Sequence, residues 1–384
     1  MALFDAVFAA FKGGGTPVPL SPALYSHWSP TFDGSDPLSG YDYATAIRDG
    51  YLANPIAQRA VRIVAEGVGQ APIAVENAKL RTLVNTTSVG QPLLETLAAH
   101  LLLHGNAYVQ IIKDGKGRPA ELFALRPDRM KAVTGEDGWP CAYEYQLAAK
   151  TITIPLEDDQ GWPEILHIKS MHPLDDHYGA GALAAAHKAI AIHNAASGWN
   201  NTLLNNAARP SGALVYDGGD GVGLTTDQFE RLKSELTSAF SGAGNAGRPM
   251  LLDGGLRWQS MALSPADMDF ATLKSTAARE IALAFGVPPM LLGLPGDNTY
   301  SNYREANRAL WRMTLLPLAQ KLLASLLDGL RPWFPSTDLG VEMDRVPALS
   351  EDRERLWKQV SEADFLTRAE KRKMLGLATE EKPQ

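Results

Sequence analysis

The spacing of apolar residues changes several times along the chain, and each change marks a new element. Ile56, Ala60, Ile63 and Val64 recur at helical spacing and predict an amphipathic helix over about 54–67. A second helix is predicted over about 91–104, ending at Gly105. The period then drops to two. Tyr108 to Ile112 form a β-rich run, "KDGKG" supplies turn residues, and the chain returns through Leu122 to Leu125, which is the pattern of a hairpin. Short strands are predicted around 142–146, 151–154 and 164–168. Up to about residue 175 the pattern is that of an α+β unit.

The character then changes. "GAGALAAAHKAIAIHNAASGWNNTLLNNAA" is alanine-rich and predicts roughly 28 helical residues, about 40 Å long, with a thin apolar stripe suited to packing against similar helices. A small β-α-β-β insert follows over 209–263. "GALVY" reads as a strand, and Thr225 with Gln228 forms a capping box for the helix "DQFERLKSELTSAF". "GRPMLLDGG" and "LRWQSMAL" read as two further strands. A second long helix is predicted from Ser264 as cap and Pro265 in the first turn, with Asp267 near its positive end. Phe270, Leu273, Ala277, Ile281 and Ala284 mark its apolar face, and Gly286 with Val287-Pro288 ends it. A polar loop occupies 287–302, and a third helix runs from 303 to about 330. Pro317 in its middle predicts a kink near Met313 to Pro317. The tail, 349–384, balances eight Lys or Arg against eight Asp or Glu. In it, "TRAEKRKMLGL" opens with the capping box Thr367–Glu370 and closes at Gly376, a small solvated helical cap.

Composition narrows the class. The 384 residues, 45% apolar and 21% charged, suffice for a sizeable core and two or three structural units. The single cysteine, Cys141, leaves no intramolecular disulfide framework, so a reducing compartment is expected. The net charge of −7 argues against a protein that grips nucleic acid over a broad surface, though not against one that merely surrounds it. "MALFDAVFAAFKGGG" carries Asp5 and no basic region, which makes it a poor signal peptide. Residues 1–40 are therefore read as an N-terminal arm. No stretch approaches the roughly 18 to 20 uncharged apolar residues that span a bilayer, so no membrane association is expected.

Several motifs resemble chemical sites without meeting their requirements. "GAGNAG" (242–247) matches G-x-G-x-x-G, but a helix precedes it and a strand follows, the reverse of a dinucleotide site. Neither a P-loop nor a G-x-S-x-G elbow is present. His100 and His104 have i, i+4 spacing without the glutamate of H-E-x-x-H, and His167, His172 and His177 gather near Asp175 and Asp176 in a loop. Structural histidines are preferred to a metal centre in both places. No catalytic residue, metal or cofactor is expected. Arg304, Arg308 and Arg312 recur every four residues on the third helix. They form either a solvated face paired with Glu305 and its neighbours, or a contact for a polyanion or adjacent subunit. Tyr300 and Tyr303 suit local packing, or stacking against a partner.

Taken in order, several segments resemble the portal proteins of tailed double-stranded DNA bacteriophages. They are "LLLHGNAYVQIIKDGKGRPAELFALRPDRM", "EILHIKS", "NNAARPSGALVY" with "FERLKSEL", and the specific pair "AREIALAFGVPPMLLG" and "TYSNYREANRALWRMTLLPL", followed by "FLTRAEKRKMLGL". The resemblance covers roughly 45–378. It implies an α+β portal fold assembled as a homo-dodecameric ring around a DNA channel. By that likeness 41–178 is a wing, 179–208 and 264–286 are stem helices, and 209–263 is a clip. Residues 287–302 become a tunnel loop, 303–348 a kinked long helix returning to the wing, and 349–384 a short crown. Asn298, Thr299, Tyr300, Ser301, Asn302 and Tyr303 would then face the channel and touch duplex DNA without sequence preference.

The same resemblance implies further partners: a large terminase supplying ATP hydrolysis, the major capsid protein, and a head-completion or adaptor protein. It implies a place at a unique vertex of a virion or phage-like particle assembled in the bacterial cytoplasm. A gene transfer agent uses the same plan as an infectious phage. The chain departs from the family in being short and in lacking an extended crown. The rival readings are a head-completion protein, which lacks paired long helices around an insert, and an enzyme with an unrecognised site in the α+β unit.

Overall fold

Asn54 opens the first long helix, its Oδ1 accepting from the amides of Ile56 and Ala57 at 3.0 Å each, with Pro55 at the first helical position. This computed structural model describes residues 42–88, 90–148, 150–205, 212–216, 225–240, 256–260, 270–295 and 300–376. The arm 1–40, the start at Ser264 to Asp267, the strand "GRPMLLDGG", and Asn298 and Thr299 lie outside them.

Helix α1 (Pro55–Gly69) buries Ala57, Ala60, Val61, Val64, Ala65 and Val68. That stripe is turned from the expected one, because Ile56 and Ile63 are only half-buried. Small residues line the buried face, and α1 lies close against a neighbouring helix there. After the short helix α2 (Ala78–Val84), that neighbour, α3 (Leu93–Leu103), ends at Gly105 with φ +85°. A Cβ at Gly105 would collide with the Gly179–Ala180 backbone, so glycine is required on two counts.

The predicted hairpin is present as β1 (Asn106–Lys113) and β2 (Pro119–Leu125). Its turn is held locally: Asp114 Oδ1 accepts from the amides of Lys116 and Arg118 at 2.8 and 3.0 Å. A second antiparallel sheet consists of β3 (Met130–Thr134), β4 (Pro140–Leu147) and β5 (Lys150–Pro155), in that order. Strand β6 (Ile165–Lys169) returns to the first sheet, so β1 is central between β2 and β6, with Tyr108 opposite both Leu125 and His167. One apolar cluster joins the sheets: Tyr108, Leu125 and Ile165 from the first, Met130, Tyr143 and Ile154 from the second.

Helix α4 (Ala182–Asn205) is the long alanine-rich helix. It is followed by the described parts of the insert, β7 (Gly212–Tyr216), α5 (Thr226–Phe240) and β8 (Leu256–Ser260). β7 and β8 pair antiparallel, and the α5 capping box forms as expected, Thr225 N donating to Gln228 Oε1 at 3.0 Å and Gln228 N to Thr225 Oγ1 at 3.4 Å. Helix α6 (Phe270–Ala284) packs along α4 and buries Ala277, Ala278, Ile281 and Ala282. Leu273, expected on that face, is 44% exposed, because the buried stripe is carried by the 277/278/281/282 positions and Leu273 sits toward its edge.

The third helix is not simply kinked. Helix α7 (Tyr300–Leu310) passes into a π-helical turn, Trp311–Leu315, and then into α8 (Leu316–Leu330), whose first turn contains Pro317. The wider turn absorbs the missing proline amide and the clash of its ring with the preceding carbonyl. α8 buries Ala319, Leu322, Leu323, Leu326, Leu327 and Leu330. Near its end, Trp333 Nε1 donates to Gly117 O at 2.9 Å, tying it to the β1–β2 turn. Helices α9 (Ser350–Glu362) and α10 (Arg368–Met374) end the described chain, the latter with the expected capping box at Thr367 and Glu370 and with Gly376 at φ +74°.

Candidate functional site

The junction between α6 and α7 is built from backbone constraints. Gly286 (φ +66°) ends α6 where a Cβ would lie 2.7 Å from Thr314 Oγ1. That hydroxyl donates to Gly286 O, also at 2.7 Å, fastening the end of α6 to the π-turn. Pro288 then leads into a 3₁₀ turn, Pro289–Leu292, closed by Gly293 in the left-handed region. Two prolines and two positive-φ glycines thus fix where the chain leaves α6.

Of the residues singled out for this junction, Asn298 and Thr299 are outside the described set. Tyr300, Ser301 and Asn302 belong to the first turn of α7 rather than to a loop, and Tyr303 lies one turn in, 54% exposed. The helix begins earlier than expected: no glycine or proline interrupts "YSNYREANRAL", although Ser301 to Glu305 are exposed and burial starts only at Ala306.

Arg304 and Arg308 on α7 and Arg312 in the π-turn are all paired. Arg308, its side chain 14% exposed, has Nη1 2.9 Å from Glu305 and Nη2 2.7 Å from Glu351, with Nε 3.5 Å from Asp352. Arg304 reaches Glu351 at 3.1 Å, and Arg312 reaches Asp352 at 3.9 Å. Glu351 and Asp352 lie in the first turn of α9, where the helix dipole also favours them. The sequence showed Glu305 as a neighbour but gave no sign of Glu351 and Asp352 beyond a balanced charge in the tail.

His104 and His167 belong to a hydrogen-bonded network centred on Asn106. Tyr143 Oη donates to His167 Nδ1 (2.9 Å), His167 Nε2 donates to Asn106 Oδ1 (2.9 Å), and Asn106 Nδ2 donates to His104 Nδ1 (3.0 Å). The Gly179 amide fixes the amide orientation by donating to the same Asn106 Oδ1 at 2.7 Å. His167 also stacks on Tyr108, ring centroids 4.3 Å apart. Burial holds His100 and His167 down to about 4 and lowers His104, so all three stay neutral near pH 7. Asp175 caps the loop by accepting from the amides of His177 and Tyr178 at 2.7 and 2.9 Å. Among the described residues no group of three or more His, Cys, Asp or Glu is placed to hold a metal ion, and no described helix is long and apolar enough to cross a membrane.

The element order defines the class. This is a mixed helix-and-sheet chain in which two packed helices bracket a strand–helix–strand insert, and a constrained junction leads into a long interrupted helix. The profile of the family described as phage portal protein matches residues 55–376, and the chain belongs to that family. It is 40% identical over 357 residues to an uncharacterised protein of Rickettsia bellii, covering 88% of this chain and 91% of that one. It is 30% identical over 256 residues to the probable portal protein of Streptomyces phage phiC31, covering 65% of this chain and 51% of that protein. Among solved structures it is similar to a chain of the neck of a native gene transfer agent particle computed with C12 symmetry, at 45% identity and a TM-score of 0.68, covering 88% of this chain and 94% of that one.

Proposed function

We propose that this chain is the portal subunit of a phage or phage-like particle, assembling as a ring through which double-stranded DNA is packaged and released. The observation that carries this reading is the likeness, over nearly the whole chain, to a chain of a twelve-fold symmetric particle neck. In this reading 41–178 forms the wing, α4 and α6 the stem, the insert 209–263 the clip, and 349–384 a short crown. The junction before α7 projects toward the channel. Asn298, Thr299 and the first turn of α7 touch the duplex there without a fixed charge. A net charge of −7 per copy suits a conduit, because a basic lining would hold phosphates and slow their passage.

The subunit performs no chemistry of its own in this account. A large terminase docked on the clip supplies ATP hydrolysis, a head-completion or adaptor protein later takes the same place, and the major capsid protein surrounds the wing. Infectious phage and gene transfer agent are both accommodated. The deciding experiment is native mass spectrometry of the purified protein, with negative-stain images of the same peak and of protein co-expressed with its capsid protein. Rings with a central hole about as wide as a DNA duplex, about 20 Å, are expected. A ringless small oligomer under both conditions would overturn the proposal.

A further inference from the structure

The acids on α9 treat the α7 arginines much as a nucleic-acid backbone would. Glu351 bridges Arg304 and Arg308, and Asp352 lies between Arg308 and Arg312. A guanidinium meets carboxylate and phosphate oxygens with the same planar fork of donors. Spaced four residues apart, the three arginines extend over about 12 Å of helix. That distance corresponds to roughly three or four phosphates along one DNA strand. With Glu305 included, three cations meet three anions and the stripe is neutral.

The element supplying two of those anions is lightly held. Val360 is the buried residue of α9. Its remaining polar anchors are few: Arg353 pairs with Asp344 and donates to Leu375 O at 3.1 Å, Lys371 Nζ donates to Ser361 O at 2.9 Å, and Ser350 Oγ donates to Pro347 O at 2.9 Å. A helix attached mainly through ion pairs whose acids, Glu351, Asp352 and Asp344, are 32 to 49% exposed is one that competing anions can displace.

We infer that Glu351 and Asp352 are internal stand-ins for phosphate, so that α9 masks a three-arginine DNA-backbone site on the helix that follows the junction. With α9 seated, α7 presents no net positive charge to DNA. With α9 displaced, Arg304, Arg308 and Arg312 bind the backbone without reading sequence. The inference rests on the portal reading for the presence of DNA beside α7, but mask and stripe lie in one chain and are testable without a ring.

The test compares the full-length protein with E351Q/D352N by fluorescence anisotropy on a labelled duplex of about 30 base pairs over a salt series. Circular dichroism and native mass are read on each sample. The double variant is expected to bind at least about tenfold more tightly near 50 mM salt, with log K against log salt steeper by about 2 to 3. Adding R304Q/R308Q/R312Q should abolish both changes. Unchanged affinity and slope in a folded double variant would overturn the mask, as would a gain that survives loss of the arginines. If the double variant does not fold, E351Q alone decides, since Glu351 is half-exposed and touches two of the arginines. About a threefold gain then supports the mask, and none overturns it. Failure of the portal reading appears separately, as a ringless native mass.

Discussion

Around Asn106 the polar atoms are buried, neutral and linked in one donor-to-acceptor chain; around Arg308 they are charged and partly open to water. The first cluster joins the end of α3, the central strand, its neighbour β6 and the loop before α4. The second joins two helices at the surface. The contrast teaches that polarity fastens this chain by two mechanisms with different solvents as competitors. A buried neutral network gains from the low dielectric around it and is costly to leave half-made. An exposed ion cluster is screened by salt and contributes little net stability.

Acid should separate the two clusters most strongly. His100 and His167 titrate at about 4 in the folded chain, below the ordinary 6.5. As pH falls, the unfolded chain therefore takes up protons first. Stability is complete above about 6.5, drains away between 6.5 and about 4, and changes no further with these groups below that. The loss approaches about 3 kcal/mol for each histidine. Urea melts between pH 7.5 and 4.5 should show the decline, and a flat profile would mean that the His100 and His167 rings are open to solvent.

Next in size is Asn106→Ala. It leaves His167 Nε2–H and the Gly179 amide without their acceptor, and His104 Nδ1 without its donor, costing about 4 kcal/mol in all. The loss, read as a denaturation midpoint, should be the same at low and high salt. E351Q/D352N should cost less, about 1 kcal/mol, and most of that difference should vanish in high salt. A salt-independent loss would show that the Arg308 cluster behaves like the buried one. Pro317→Ala should have the smallest effect. The π-turn already accommodates the ring, so thermal unfolding should shift by no more than about 1 kcal/mol, although proline in a regular helix interior costs about 3.

Much of the fold was legible because its signals are local. The Asp114 turn, the Thr225–Gln228 and Thr367–Glu370 boxes and the glycines closing α3, α6 and α10 all act within a few residues, so spacing in the chain equals spacing in space. The candidate site was legible in part. The glycine-proline junction and the arginine stripe stood out, whereas the placing of Tyr300 to Asn302 on α7 did not. Which face of α1 is buried was off by about a residue, since periodicity gives the width of a stripe more firmly than its direction.

The residues by themselves determined where most elements begin and turn, the strand pairing of the hairpin, the segment order that marks a portal protein, and the absence from the chain of the P-loop and hydrolase motifs. Tertiary structure alone decided what the polar side chains do. Asn106 meets partners 61 and 73 residues away, and Arg308 and Arg304 meet Glu351 across 43 and 47. It also decided that Pro317 would be met by a π-turn. Such outcomes depend on which surfaces are brought together and how much water is left between them. A linear pattern of apolar and charged residues carries neither quantity.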